Sequence, residues 1–235
     1  MKFRIDHIFF DLDNTLWDFE SNSRRVITDL YHEFNLADRC STEVHDFIKE
    51  YERINHLLWD KLRKSEISKE QLRSSRFYNS MQSFGHDDFE LGYRMEEEYV
   101  KRSPYQKTLL PGTTETLARL NKEYQLHIIT NGFKEVQYTK LKNCGLTDYF
   151  RQIIISEEVG FSKPDQRIFL HSMKVSGADP GRSLMIGDDI ETDVRGAENS
   201  GMRAILFERN GESNDRATYG IKINRLEQIL DFIER

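Results

Sequence analysis

Short apolar runs punctuate the chain at residues 5–10, 126–130, 153–156, 184–187 and 203–207. Each is bounded by polar residues, the pattern of strands covered on both faces of a sheet. Helical spacing of apolar positions fills the segments 114–124, 135–144, 165–175 and 191–200. Gly145 and Gly201 stand just past two of these as helix stop signals. Strands alternating with helices of about three turns predict βαβ units, hence an α/β fold with a parallel sheet and helices on both faces.

The interval between the first two runs breaks that rhythm. Residues 19–105 carry no strand pattern, and helical periodicity recurs instead at 24–34, 43–61, 69–84 and 89–101. A crossover of this length far exceeds the dozen or so residues that a βαβ connection needs. It predicts an inserted α-helical domain, hinged near residues 17–23 and 101–111, the latter containing Pro104 and Pro111-Gly112. The chain therefore divides into a core of residues 1–17 and 106–235 and a helical insert of residues 18–105.

Composition narrows the class without naming a chemistry. With 235 residues, 31% charged and 37% apolar, the chain fits a soluble globular protein of one large domain or a core plus an accessory one. A formal net charge of -6 and no Lys/Arg-rich block argue against a nucleic-acid partner. The amino terminus lacks the apolar core of a signal peptide, and no apolar run approaches membrane-spanning length. Cys40 and Cys144 are too few and too scattered for a disulfide framework or a zinc site, so a cytoplasmic location is expected.

Candidate chemistry sits where the apolar runs end. Asp11 and Asp13 are two apart, so in an extended chain both carboxylates point the same way. They stay ionised together only with a cation or strong donors between them. A strand-ending turn is the alternative, with Asp and Asn side chains satisfying nearby backbone groups. A calcium loop is excluded, because its sixth and twelfth positions hold Leu16 and Asn22 rather than Gly and Glu. Thr130-Asn131-Gly132 ends the second run as either a helix cap or an anion-binding turn. Pro164 in Lys163-Pro164-Asp165 reads as the first residue of a helix, and Lys163 as either a surface residue or a fixed ammonium near the carboxylates. In Gly187-Asp188-Asp189-Ile190-Glu191-Thr192-Asp193, four acids within six residues exceed what capping requires. Together with Asp11 and Asp13 they could form the oxygen-rich site that Mg²⁺ prefers.

In order and spacing, Asp-x-Asp-x-Thr, Thr-Asn-Gly, Lys-Pro and Gly-Asp-x-x-x-x-Asp resemble the four motifs of the haloacid dehalogenase superfamily, from Ile5 to about Leu206. The insert resembles that superfamily's helical type 1 cap, and the core its Rossmann-like sheet. Within it, 129–133, Gly145-Leu146, Tyr149-Phe150 and 155–160, with cap segments 55–59, Gln71-Leu72 and Arg76-Phe77, are similar to the pyrimidine 5′-nucleotidase branch.

The resemblance implies a Mg²⁺-dependent phosphatase rather than a dehalogenase, because dehalogenases lack an acid at the position of Asp13. It implies Asp11 as nucleophile, Asp13 as proton shuttle, and Thr130, Asn131 and Lys163 as holders of the phosphoryl oxygens. The catalytic set is then Asp11, Asp13, Thr130 and Lys163. The implied metal site is Asp11, Asp13 through its main-chain carbonyl, Asp188 and Asp193, the last orienting Lys163 or a metal-bound water. Asn55 and Arg76 are the cap candidates for substrate contact, and Trp17 and Phe19 would help to exclude water. The expected substrate is a small phosphorylated molecule, a pyrimidine nucleoside 5′-monophosphate, hydrolysed by a monomer or homodimer. A sugar phosphate or phosphoglycolate is the alternative substrate, and a non-catalytic binding protein the alternative of another class.

Overall fold

A computed structural model describes residues 2–209 and 220–234. Two compact units are present, Met1–Phe19 with Lys107–Arg235, and Glu20–Gln106.

The first unit is built on six parallel strands: β2 (His7–Phe10), β3 (Gln125–Thr130), β4 (Phe150–Ile155), β5 (Ser183–Gly187), β6 (Arg203–Phe207) and β7 (Ile221–Ile223). Their order across the sheet is β4-β3-β2-β5-β6-β7. β1 (Phe3–Arg4) and β8 (Ile233–Glu234) pair with each other in a separate two-stranded ribbon. Alternation along the strands explains the two layers of core. Ile8 and Phe10, Leu126 and Ile128, and Leu184 and Ile186 enter one cluster with Leu117 and Leu120 from the helix Thr113–Leu120. Phe9, Ile129 and Met185 enter the other, with Ile168, Phe169 and Met173 from the helix Gln166–Ser176. Helices therefore cover both faces, as the unbroken apolar runs require.

Register sets the site. Phe10 lies level with Ile128 on one side and Ile186 on the other. Asp11, Thr130 and Asp188 therefore leave three neighbouring strands at one carboxyl edge. The strand order reverses beside β2, with β3 to one side and β5 to the other, and such switch points are where open α/β sheets bind ligands.

Several expected elements shift. The run 5–10 is not one strand: the Ile5 and Asp6 amides bond to Glu234 and Arg182 carbonyls, and β2 starts at His7. The strand expected at 153–156 begins earlier, at Phe150, with an irregularity opposite Leu126 and His127. Pro164 is not the first helical residue: the helix is Gln166–Ser176, and Asp165 caps it by accepting from the Arg167 amide. The single helix expected over 191–200 is a wide π turn, Ile190–Arg195, followed by Gly196–Asn199. The Asp189 carbonyl accepts from both the Asp193 and Val194 amides, which spreads that turn.

The second unit is all helical. Its helices are Leu36–Cys40, Val44–Arg63, Lys69–Gln82 and Phe89–Arg102, together with Phe19–Glu33, which begins at the unit boundary and five residues before the expected 24–34. Leu36–Cys40 was not anticipated; it is a single turn between Asn35 and Ser41, both in left-handed conformation. A capping box of Ser68 with Gln71 starts Lys69–Gln82. Val26, Leu30, Phe47, Tyr51, Phe77 and Met95 belong to a hydrophobic core within this unit. Among the described residues, no helix is long and apolar enough to cross a membrane.

Candidate active site

The chain leaves β2 straight into Asp11, whose amide donates to the Ile186 carbonyl of the neighbouring strand at 2.9 Å. The carboxyl end of β2 is thereby locked to that of β5. Asp11 is 7% exposed, and Lys163 Nζ lies 2.6 Å from its Oδ1. The same ammonium lies 2.6 Å from Asp193 Oδ1. Lys163 and Asp193 are both buried.

Asp193 reaches this position because Gly187 has no side chain. A Cβ at Gly187 would lie 2.1 Å from Asp193 Oδ2. The other anchor is the Asp189 amide, which donates to Asp193 Oδ2 at 3.1 Å. Asp189 itself accepts from the Glu191 and Thr192 amides, so its carboxylate caps the π turn. Asp188 stands between, accepting from the Thr15 hydroxyl at 3.5 Å.

Oxygens of Asp11, Asp188 and Asp193 come within 4.8 Å of one another, a set of carboxylates that could hold a metal ion. The electrostatics show the strain of gathering them. Burial, added to the charges of Asp193 and Asp13 and opposed by Lys163, pushes Asp11 up to about 7. Asp188 is exposed as a residue, yet loss of water around its carboxyl, then the charges of Asp11 and Asp193, hold it well above the usual carboxylate range. Burial alone would lower Lys163, but the two carboxylates beside it outweigh burial and raise it. The group is one buried cation among three acids, and it favours an added positive charge.

Asp13 sits in different company. Its Oδ1 accepts from Lys140 Nζ at 2.6 Å and its Oδ2 from Gln137 Nε2 at 2.7 Å. Its carboxylate is thus outside the three-acid group, and the two acids at the end of β2 have separate partners. Thr130 Oγ1 accepts from the Gly132 amide at 3.1 Å and from Gln137 Nε2 at 2.9 Å. Asn131 spends both ends of its amide on the Lys163 main chain, donating to the carbonyl at 2.9 Å and accepting from the amide at 2.8 Å. It clips the loop after β3 to the loop that carries Lys163. Trp17 is fully buried, with the Lys140 ammonium 4.1 Å from its ring centre and 5.6 Å from that of Phe19.

Sequence reasoning missed Gln137 and Lys140. The helix Lys134–Asn143 reads as polar, and its buried residues are Gln137, Lys140 and Leu141. The available signal was spacing: positions 137, 140 and 141 share one helical face, so a face bearing Leu141 also bears a glutamine and a lysine.

The two cap candidates lie inside the helical unit. Arg76 Nε donates to Glu96 Oε2 at 3.1 Å, Arg76 Nη2 donates to Glu96 Oε1, and Arg76 Nη1 donates to Asn55 Oδ1 at 3.3 Å. The guanidinium lies 5.1 Å from the Tyr99 ring centre. Asn55 and Arg76 are thus brought to each other and to Glu96 within that unit.

Residues 5–201 match the family of haloacid dehalogenase-like hydrolases. Among relatives, pyrimidine 5′-nucleotidase YjjG of Escherichia coli K12 is 34% identical over 230 residues, covering 96% of this chain and 97% of that protein. Pyrimidine 5′-nucleotidase PynA of Streptococcus pneumoniae is 29% identical, covering 97% and 94%. Among solved structures, the HAD-hydrolase YfnB from Bacillus subtilis, determined bound to magnesium, superposes with a TM-score of 0.87 at 23% identity and covers 97% of this chain and 98% of that one.

Proposed function

Since the chain belongs to the haloacid dehalogenase-like hydrolases, we propose that it hydrolyses pyrimidine nucleoside 5′-monophosphates, with Asp11 as nucleophile and Asp13 as proton shuttle. The observation that carries this reading is the division of labour at the end of β2. Asp11 faces Lys163 and the other acids, whereas Asp13 faces Gln137 and Lys140. Two carboxylates in different surroundings suit two different steps.

An Asp11 oxygen attacks phosphorus and the ester P–O bond breaks, leaving an aspartyl-phosphate. Asp13 gives its proton to the departing nucleoside 5′-oxygen as that bond breaks. Asp13, now a carboxylate, takes a proton from a water molecule, which attacks the same phosphorus. Inorganic phosphate leaves, Asp11 is regenerated, and Asp13 again carries the proton. Lys163, held beside Asp11, offsets negative charge on the phosphoryl oxygens, and the Thr130 hydroxyl lies at the same strand edge to bind one of them. Asn131 keeps the Lys163 loop in place while they do so.

Asp11, Asp188 and Asp193 would hold Mg²⁺, with the Asp13 carbonyl as the further ligand. An all-oxygen set of crowded carboxylates fits that ion. When bound, it would offset repulsion between the Asp11 carboxylate and the anionic phosphate.

Choice of a pyrimidine nucleotide rests on the two relatives that match over nearly their whole length. The test is phosphate release from dUMP, dTMP, UMP and a panel of sugar phosphates, with and without Mg²⁺. The expected result is Mg²⁺-dependent release favouring the pyrimidine nucleotides and abolished by Asp11→Asn. Preference for sugar phosphates would overturn the substrate assignment; no release from any of them would overturn the phosphatase.

A further inference from the structure

Asp13 takes both of its hydrogen bonds from a single helix, Lys134–Asn143. Both donors are buried: Gln137 is wholly inaccessible and Lys140 is 3% exposed. A lysine and a glutamine are costly things to bury on a helix face that Leu141 shares, where apolar residues would pack without penalty. Here the ammonium is matched to one Asp13 oxygen and the amide to the other, so each donor fixes one edge of the carboxyl group. Gln137 Nε2 also reaches Thr130 Oγ1, linking Asp13 to the hydroxyl at the end of β3.

The neighbouring loop is shaped around this contact. A Cβ at Gly132 would stand 1.8 Å from Gln137 Nε2 and 2.4 Å from its Cδ. A side chain at position 132 would push Gln137 away and break its bonds to both Asp13 and Thr130. The glycine of Thr130-Asn131-Gly132 is therefore the opening through which Gln137 reaches Asp13.

We propose that Gln137 and Lys140 are positioning residues for Asp13, holding its carboxyl group in the orientation that serves the leaving oxygen and then the attacking water. This rests on the phosphatase reading above, in which Asp13 transfers the proton in both half-reactions. Neither residue is assigned contact with substrate.

The test separates the two half-reactions by the leaving group. A nucleoside alkoxide needs its proton from Asp13, whereas p-nitrophenolate leaves without one; both substrates need Asp13 for the water step. Lys140→Met keeps the length and the packing of the side chain but removes its charge. In rapid mixing with p-nitrophenyl phosphate, Lys140→Met is expected to release one equivalent of p-nitrophenol per active site in a burst, followed by slow turnover. With dUMP it is expected to show no burst and a kcat lowered by about 100-fold, with KM changed far less. Lys140→Arg, which keeps a cation at the Asp13 oxygen, is expected to recover most of that loss.

A Lys140→Met protein that turns over both substrates at the wild-type kcat, or that changes only KM, would overturn the positioning role while leaving the phosphatase intact. Wild-type protein that releases no phosphate would overturn both. Far-UV circular dichroism checks that each variant is folded. Should Lys140→Met not fold, Gly132→Ala carries the same measurement, because its Cβ displaces Gln137 from Asp13 without touching Lys140. It is expected to give the same pattern of burst and slow turnover, and wild-type kcat on both substrates would overturn the proposal.

Discussion

Arg76→Met tests whether the polar cluster of the helical unit holds that unit together or is held in reserve for a ligand. Arg76 and Glu96 side chains are 6% and 4% exposed, so truncating the arginine leaves a carboxylate buried without its partner. Breaking a buried pair on one side costs about 3–5 kcal/mol. Loss of the guanidinium over Tyr99 adds up to about 1 kcal/mol. For a chain of this size, the combined loss of about 3–6 kcal/mol corresponds to a fall in Tm of roughly 6–24 °C.

The pH dependence has a definite sign. Burial already raises Glu96 above its ordinary value of 4.5, against the pull of Arg76. Without Arg76 it rises further, so the folded variant binds a proton that the unfolded chain releases. The variant's deficit relative to wild type should therefore be smallest near pH 4.5 and grow as pH rises above it. Referring it to wild type at each pH cancels the titrations that the two proteins share. Replacing both partners, as Arg76→Met with Glu96→Leu, should return stability to within about 1–2 kcal/mol of wild type or above it, since no buried charge is left. Thermal unfolding followed by circular dichroism reads all three proteins. A single Arg76→Met variant with an unchanged Tm and a raised KM for dUMP would refute this reasoning and assign the guanidinium to substrate.

Three further outcomes follow from the core. His127 is wholly buried, stacked on Phe9 at 4.6 Å and bonded to His7 at 3.1 Å; burial and then the charge of His7 lower it to about 3. The unfolded chain binds a proton there near 6.5 and the folded one does not, so between pH 6.5 and 5 wild type should lose about 2 kcal/mol relative to His127→Phe in urea titrations, a comparison that cancels the opposite contributions of the raised Asp11 and Asp188 carboxyls. Equal pH slopes in the two proteins would contradict the assignment. Gly187→Ala drives a methyl to within 2.1 Å of Asp193 Oδ2, and should lower both phosphate release and Mg²⁺ affinity by calorimetry; wild-type affinity would show that Asp193 is dispensable there. Chelation of divalent ions should stop phosphate release and added Mg²⁺ restore it, whereas activity that survives exhaustive chelation would remove the metal-holding role of Asp11, Asp188 and Asp193 from the mechanism.

The sheet was legible because its strands are buried on both faces, so that 126–130, 184–187 and 203–207 read as continuous apolar runs with polar ends. The helical insert was legible because no strand pattern interrupts 19–105. β1, β7 and β8 were not legible: at two or three residues each, they are too short to show a pattern. The π turn at Ile190–Arg195 was hidden because its cause is a shared carbonyl at Asp189, where periodicity alone suggests an ordinary helix. In the candidate site, the acids stood out as charges beside apolar strands, whereas Lys163 read as either a surface residue or a fixed ammonium until the resemblance gave it a role. Gln137 and Lys140 did not, because a polar helix face reads as solvated until the fold turns it inward onto Asp13.

If Asp11 carries the phosphoryl group between the two half-reactions, acid quenching during turnover of dUMP, followed by peptide mass spectrometry, will trap it there. One phosphoryl group is expected on the peptide containing Asp11, labile to hydroxylamine and absent from Asp11→Asn. Steady phosphate release with no phosphorylated Asp11 at any quench time, together with undiminished turnover by Asp11→Asn, would contradict it.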